Sequence, residues 1–187
     1  MQILQNRRVA VLGMVILILV ACLLGPGKYL KKSYTAATEC FREDIIPDVE
    51  NMVTNAGRLV SVASRYSDAS NEAKKVDDIV SDANKAIAKN DAAALCEAAS
   101  DLTEAVENLS AKLSACSLSE QDVKYNNGYL ADVRSSEQIL ERIANGGLSD
   151  DGTGYNTLAE AYNEKRSAFP GSIFAGIVGY GTLPLYA

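Results

Sequence analysis

The chain has 187 residues, 48% of them apolar and 22% charged, enough to build one core with appendages. It contains no histidine, so it lacks the usual general base at neutral pH, the usual triad member and the commonest metal ligand. Charge is uneven: residues 1–32 carry Arg7, Arg8, Lys28, Lys31 and Lys32 and no acid, while the chain as a whole has a net charge of −6. The acidic body argues against nucleic-acid binding, which needs Lys and Arg to displace counterions from phosphates.

The first predicted element is the run Val9–Leu24, which has no polar side chain, follows Arg7-Arg8 and ends at Gly25-Pro26-Gly27. As a helix it spans roughly 24 Å, a little short of a ~30 Å hydrocarbon core. Flanking basic side chains can snorkel to cover the difference. The preferred reading is a single-pass N-terminal transmembrane helix in the cell membrane, with the body outside the cytoplasm. Two alternatives stand beside it. One is a cleaved signal peptide. The other is a lipoprotein signal, because Leu19-Val20-Ala21-Cys22 resembles a lipobox and would make Cys22 the acylated residue. Gly25-Pro26-Gly27 predicts a break that lets the body move relative to the anchor.

The body reads as helix almost throughout. A first helix over about 29–66 carries Phe41, Ile45, Val49, Val53, Ala56, Val60 and Ala63 on one face. Pro47 lies inside it and predicts a kink. A second helix over about 68–89 places Ala69, Ala73, Val76, Val80, Ala83 and Ile87 in a heptad seam. A third, capped by Asn90 or Asp91, places Leu95, Ala99, Leu102, Val106, Leu109, Leu113 and Cys116 in another. Two seams joined by so short a turn describe an antiparallel pair.

A fourth helix starts near Ser119, with Ser117 and Glu120 spaced as a capping box, and turns Tyr129, Val133, Ser136, Leu140 and Ile143 inward. The glycine-rich stretch 145–154 predicts a loop. A fifth helix over about 155–168 sets Tyr155, Leu158, Tyr162 and Phe169 on one side and stops at Pro170. Residues 171–187 are apolar and glycine-rich, too short and broken to span a bilayer. They are expected to tuck under the bundle, with contact to a membrane surface or a partner as the alternative. The expected fold is therefore all-α: an antiparallel bundle of four to five helices preceded by a transmembrane helix. The expected divisions are 1–27 (anchor and hinge), 28–170 (bundle) and 171–187 (apolar segment).

Two motifs carry a family resemblance. Tyr155-Asn156, Tyr162-Asn163 and Phe169-Pro170, followed by Gly179-Tyr180 and Tyr186, resemble the C-terminal signature of the LemA family. Arg42-Glu43-Asp44-Ile45-Ile46-Pro47 is similar to that family's element on its first long helix. The chain departs from the family pattern in having no Trp, a shorter connection after the anchor, and the 145–154 glycine loop where the family continues a helix. The resemblance implies a membrane-anchored helical bundle in the bacterial cell envelope, with location and architecture better defined than molecular activity. The Tyr residues, seven apart, share a helix stripe, and the Asn residues form a second stripe able to bond across helices. The expected role of both is to set register between the last helix and the first, with a Tyr- and Asn-lined ligand groove as the alternative. Asp44 is expected to pair with Arg42 or with a neighbouring helix.

The sequence holds no nucleophile elbow, phosphate-binding loop, dinucleotide fingerprint or zincin motif. Cys22, Cys40, Cys96 and Cys116 include no Cys-x-x-Cys pair. Asp150-Asp151-Gly152 lacks the alternating ligands and closing Glu of a calcium loop. No catalytic residue, metal or cofactor is implied. The reading is a non-enzymatic scaffold or interaction module, whose partners are the lipid bilayer and an unidentified protein, with a homo-oligomer as a further candidate because heptad seams also join copies. The alternative is an envelope lipoprotein, acylated at Cys22, that binds a small or lipidic ligand between helices.

Overall fold

A computed structural model describes residues 7–148 and 152–186, without the side chains of residues 7–10, 12 and 16–26. Among the described residues every regular element is helical. Helix α1 spans Arg7–Cys40 and passes through one π-helical turn, Phe41–Ile45, into α2, Ile46–Ala63. A short turn leads to α3, Ser70–Lys89. Then come α4, Ala92–Ser114, and α5, Glu120–Ala144. Helices α6, Tyr155–Ser167, and α7, Gly171–Val178, follow, with residues 180–186 in no regular element after them.

Helices α2 to α5 form the bundle: each packs on the next, and α5 returns to α2. The connections are short, so successive helices run antiparallel. The expected seams are present except at Cys116, which lies beyond the end of α4 and outside the core. Leu95, Ala99, Leu102, Val106, Leu109 and Leu113 are all buried, facing Ala73, Val76 and Ala83 of α3 and Val49, Met52, Ala56 and Leu59 of α2. Small residues on α3 let its backbone come close, and the large leucines of α4 fill the interior at the density cores require. The α3–α4 turn uses Asn90 in the left-handed conformation (φ 51°) and Asp91, whose carboxylate accepts from the Ala94 N–H at 3.2 Å.

Three elements depart from the sequence reading. Helix α1 runs unbroken through Gly25-Pro26-Gly27, where a break was expected. Gly27 lies under the Phe174 ring of α7, so close that a Cβ there would sit 3.2 Å from Phe174 Cε1. Close packing against α7 therefore accompanies helix at this position, and a proline forfeits only one backbone bond. Near Pro47 the ladder widens: the Ile46 N–H reaches back to Phe41 O, five residues earlier. The π-helical turn takes up the irregularity and keeps Phe41 and Ile45 buried. The fourth helix is capped by Ser119, whose Oγ accepts from the Asp122 N–H at 3.1 Å, rather than by the Ser117–Glu120 box.

Asp122 is the hub of this corner. Its buried carboxylate accepts from Tyr66 Oη at 2.7 Å, Ser119 Oγ at 2.8 Å and Arg65 Nη1 at 2.6 Å, tying the end of α2 to the start of α5. The hydrogen bonds from Tyr66 and Ser119 hold the Asp122 carboxyl below its usual range, and the same bond pushes the Tyr66 phenol up.

A second, smaller core forms beside the bundle. Leu30 of α1, Tyr162 of α6 and Ala175 of α7 are buried together, flanked by Tyr34, Phe174, Tyr180 and Leu183. This cluster joins α1, α6, α7 and the extended segment into one annex on the bundle. Among the described residues no helix is long and apolar enough to cross a membrane. Most of the apolar run on which the predicted anchor rests lies outside the described side chains.

Candidate functional site

The residues of the two Tyr-Asn pairs converge on one construction. Their stripe on α6 faces the extended segment 180–186, and every polar tip on the stripe bonds to that segment's main chain. Asn163 Nδ2 donates to Leu183 O at 2.8 Å while Asn163 Oδ1 accepts from Leu183 N–H at 2.9 Å. Asn156 repeats the arrangement on Tyr186, at 2.8 Å in both directions. Tyr162 Oη donates to Gly181 O and Tyr155 Oη to Pro184 O, each at 2.8 Å. Arg166 Nε extends the row to Tyr180 O at 2.9 Å.

The spacing has a geometric basis. Seven residues of α-helix rise roughly 10.5 Å, and three residues of extended chain cover about 10 Å. A heptad on α6 therefore keeps step with a triplet on the segment, which runs antiparallel to it. A side-chain amide offers one donor and one acceptor side by side, as a peptide group does. Each Asn thus satisfies both main-chain groups of one residue, as a neighbouring strand would. Pro184 has only a carbonyl to satisfy and meets a hydroxyl.

The rings of the same tyrosines pack against α1 and the π-helical turn that follows it. Tyr155 meets Phe41 with centroids 5.2 Å apart, and Tyr162 meets Tyr34 at 5.3 Å, both tilted. Tyr180 stacks on Tyr34 at 4.2 Å. Both α6 tyrosines are fully buried, and burial raises both phenol pKa values, so the hydroxyls stay protonated as donors. Burial likewise pushes the Cys40 and Cys96 thiols up to about 11. Cys40, Cys96 and Cys116 are free thiols.

The other motif residues are dispersed. Ile45 and Ile46 are buried in the main core, while Asp44 and Pro47 are exposed. Arg42 pairs with Glu43 at 3.1 Å rather than with Asp44, and Asp44 instead lies beside the Cys40 thiol. Phe169 does not share the inner side of α6: it is 82% exposed. The helix ends at Ser167 and Ala168 is extended (ψ 149°), so the helical phase is lost before Phe169. Gly179 (φ 77°) ends α7 in the left-handed conformation and turns the chain into the segment. Cys22 and the Asp150-Asp151 pair fall outside the described side chains.

The partner of the Asn stripe was not read from the sequence, which pointed to bonds across helices. A usable signal was present: Tyr180, Leu183 and Tyr186 repeat every third residue beside a heptad of Tyr-Asn pairs. Between this construction and the bundle lies a cavity of about 400 Å³, lined by Tyr34, Thr38, Phe41, Arg42, Tyr155 and Leu183 among others. A more open groove of about 840 Å³ between α3 and α4 is edged by Glu72, Asp78, Asp101 and Glu104. Among the described residues no group of His, Cys, Asp and Glu is placed to hold a metal ion. No protein-family model, no curated protein and no solved structure matches the chain.

Proposed function

We propose that this protein is a membrane-anchored, non-enzymatic helical-bundle module of the LemA type, acting as a scaffold in the cell envelope. The observation that carries the reading is an apolar surface beside residues 27–30 of α1, just after the apolar run. Tyr29 and Phe169 share an apolar recess there with Leu30 and Pro170. On α7, Ile173 and Ile177, one turn apart, are also exposed, Ile177 at 76%. A bundle entirely in water gains nothing by exposing Phe and Tyr side by side. A bundle held against a bilayer by Val9–Leu24 would rest this surface at the lipid interface, where aromatic residues are favoured. One structural task accounts for the residue types and the spacing of the two Tyr-Asn pairs on which the resemblance rests.

A second reading, the lipoprotein acylated at Cys22 with a small or lipidic ligand, is favoured by the aromatic-lined cavity between α1 and α6. One experiment addresses both. A reporter active only outside the cytoplasm is fused after residue 187, in the native chain and in Cys22→Ala, and membranes are fractionated. An exported signal and membrane retention in both chains support a spanning anchor. Retention lost in Cys22→Ala supports the lipoprotein. A chain recovered from the soluble fraction in both forms refutes membrane anchoring, and a reporter silent in both refutes the orientation.

A further inference from the structure

Among the described residues, the seven hydrogen bonds between α6 and the segment end on main-chain atoms of the segment, so the stripe reads a backbone rather than a sequence. Side-chain selection falls on three positions at regular spacing, with Pro184 half-buried beside them. Tyr180 stacks on Tyr34, Leu183 packs between the two cores, and Tyr186 is buried in the main one. Gly181, Thr182 and Leu185 are exposed between them. This combination of a main-chain clamp and pockets at regular intervals is how proteins bind extended peptides. The segment leaves α7 through the left-handed turn at Gly179 and is held on α6 by side chains of that helix rather than by a backbone ladder. Its attachment is therefore a local equilibrium, separable from unfolding of the bundle.

We propose that the α6 stripe, with Tyr34 of α1 and Phe41 of the π-helical turn, is a binding site for an extended Tyr-x-x-Leu-x-x-Tyr peptide. Residues 180–186 occupy it within the chain, and the same segment of a second copy occupies it between chains. The second copy is the occupant the geometry favours, because its segment already carries the three side chains that fit and the amides that the two Asn residues hold. Each copy brings one site and one segment, so reciprocal exchange closes into a two-fold dimer without any new surface. The exchange needs only the elements described above and is independent of the membrane reading.

The test uses the full chain in detergent micelles and a fluorescein-labelled synthetic peptide of residues 179–187, followed by fluorescence anisotropy. In the native chain the tethered segment competes at an effective concentration in the millimolar range, so the peptide binds weakly. A chain carrying Leu183→Pro and Tyr186→Ala has a crippled segment of its own and is expected to bind the peptide at least tenfold more tightly. A peptide N-methylated at Leu183 and Tyr186 keeps every side chain but loses the two amides, and is expected to bind at least tenfold more weakly. Mixed with a chain carrying Asn156→Ala and Asn163→Ala, whose segment is intact but whose own site is crippled, the segment variant is expected to form a 1:1 complex by sedimentation.

Equal binding of the methylated peptide overturns the backbone clamp. No binding by a variant of native helical content overturns the site. Peptide binding with no complex between chains overturns the second copy as occupant. If the variant loses its helical content, the native chain decides the matter: excess peptide must accelerate amide exchange at its own Leu183 and Tyr186, and unchanged exchange overturns the proposal.

Discussion

Replacing Asn163 by alanine removes both hydrogen bonds that hold Leu183, at 2.8 and 2.9 Å. A neutral hydrogen bond contributes about 1 kcal/mol net. Asn163 is only half-buried, so water recovers part of the loss, leaving roughly 1–2 kcal/mol. The segment is held along its length by other residues, so this loss opens it locally and leaves α2 to α5 intact. With a tenfold change for every 1.4 kcal/mol, protection of the Leu183 amide in hydrogen exchange should fall by roughly 5- to 30-fold. Amides in the α4 seam, such as those of Leu102 and Val106, should not change. Asn163→Asp is the sharper control. Its carboxylate still accepts from the Leu183 N–H, but it sets an anionic oxygen against the Leu183 carbonyl and has no donor. It should cost at least as much as alanine despite its matching shape. Retained protection in Asn163→Asp, or a loss of protection spread evenly through the bundle, would refute the clamp.

Three further outcomes are expected. The Asp122 carboxyl is held below its unfolded value, so its stabilising contribution is complete above about pH 3.9 and is lost as pH falls through the lower folded value. Urea midpoints measured from pH 6 to pH 2 should fall less steeply in Asp122→Asn than in the native chain. Gly154 and Gly128 should respond oppositely to alanine. A Cβ at Gly154 would overlap backbone atoms of Gly146 and Ala144, whereas at Gly128, inside α5, it meets nothing within 4 Å. Thermal melts should show Gly154→Ala destabilised by about 1–3 kcal/mol and Gly128→Ala stabilised by about 0.5–1 kcal/mol. With thiols raised to about 11, Cys40 and Cys96 should be about 0.1% thiolate at pH 8 and alkylate at least tenfold more slowly than free cysteine. Rapid labelling of either thiol in the folded chain would contradict its burial.

Much of the bundle was legible because its signals are local. Leu95 through Leu113 step by three and four, and that periodicity has one economical solution, a buried helix face. Asp91 before an apolar run is a cap whatever lies around it. The segment after Pro170 was less legible. Gly171, Gly176 and Gly179 weaken any helical pattern, yet α7 forms, with Ala175 buried against α1 and α6 and Phe174 packed over Gly27. Packing there outweighs the propensity of two glycines. The Asp122 hub was equally hidden, since Arg65 and Tyr66 stand more than fifty residues away in sequence.

By itself, the sequence determined that this is an all-helical protein, where most of its helices turn inward, and that Tyr155, Asn156, Tyr162 and Asn163 lie on adjoining stripes. Helix periodicity and capping act over a few residues, so they are written in a few residues. Only the tertiary structure decided what those stripes hold. Main-chain amides look alike at every position of a sequence. That Leu183 and Tyr186 present theirs to the two asparagines depends on α7 reversing the chain at Gly179, and on a heptad of helix matching a triplet of extended backbone in length.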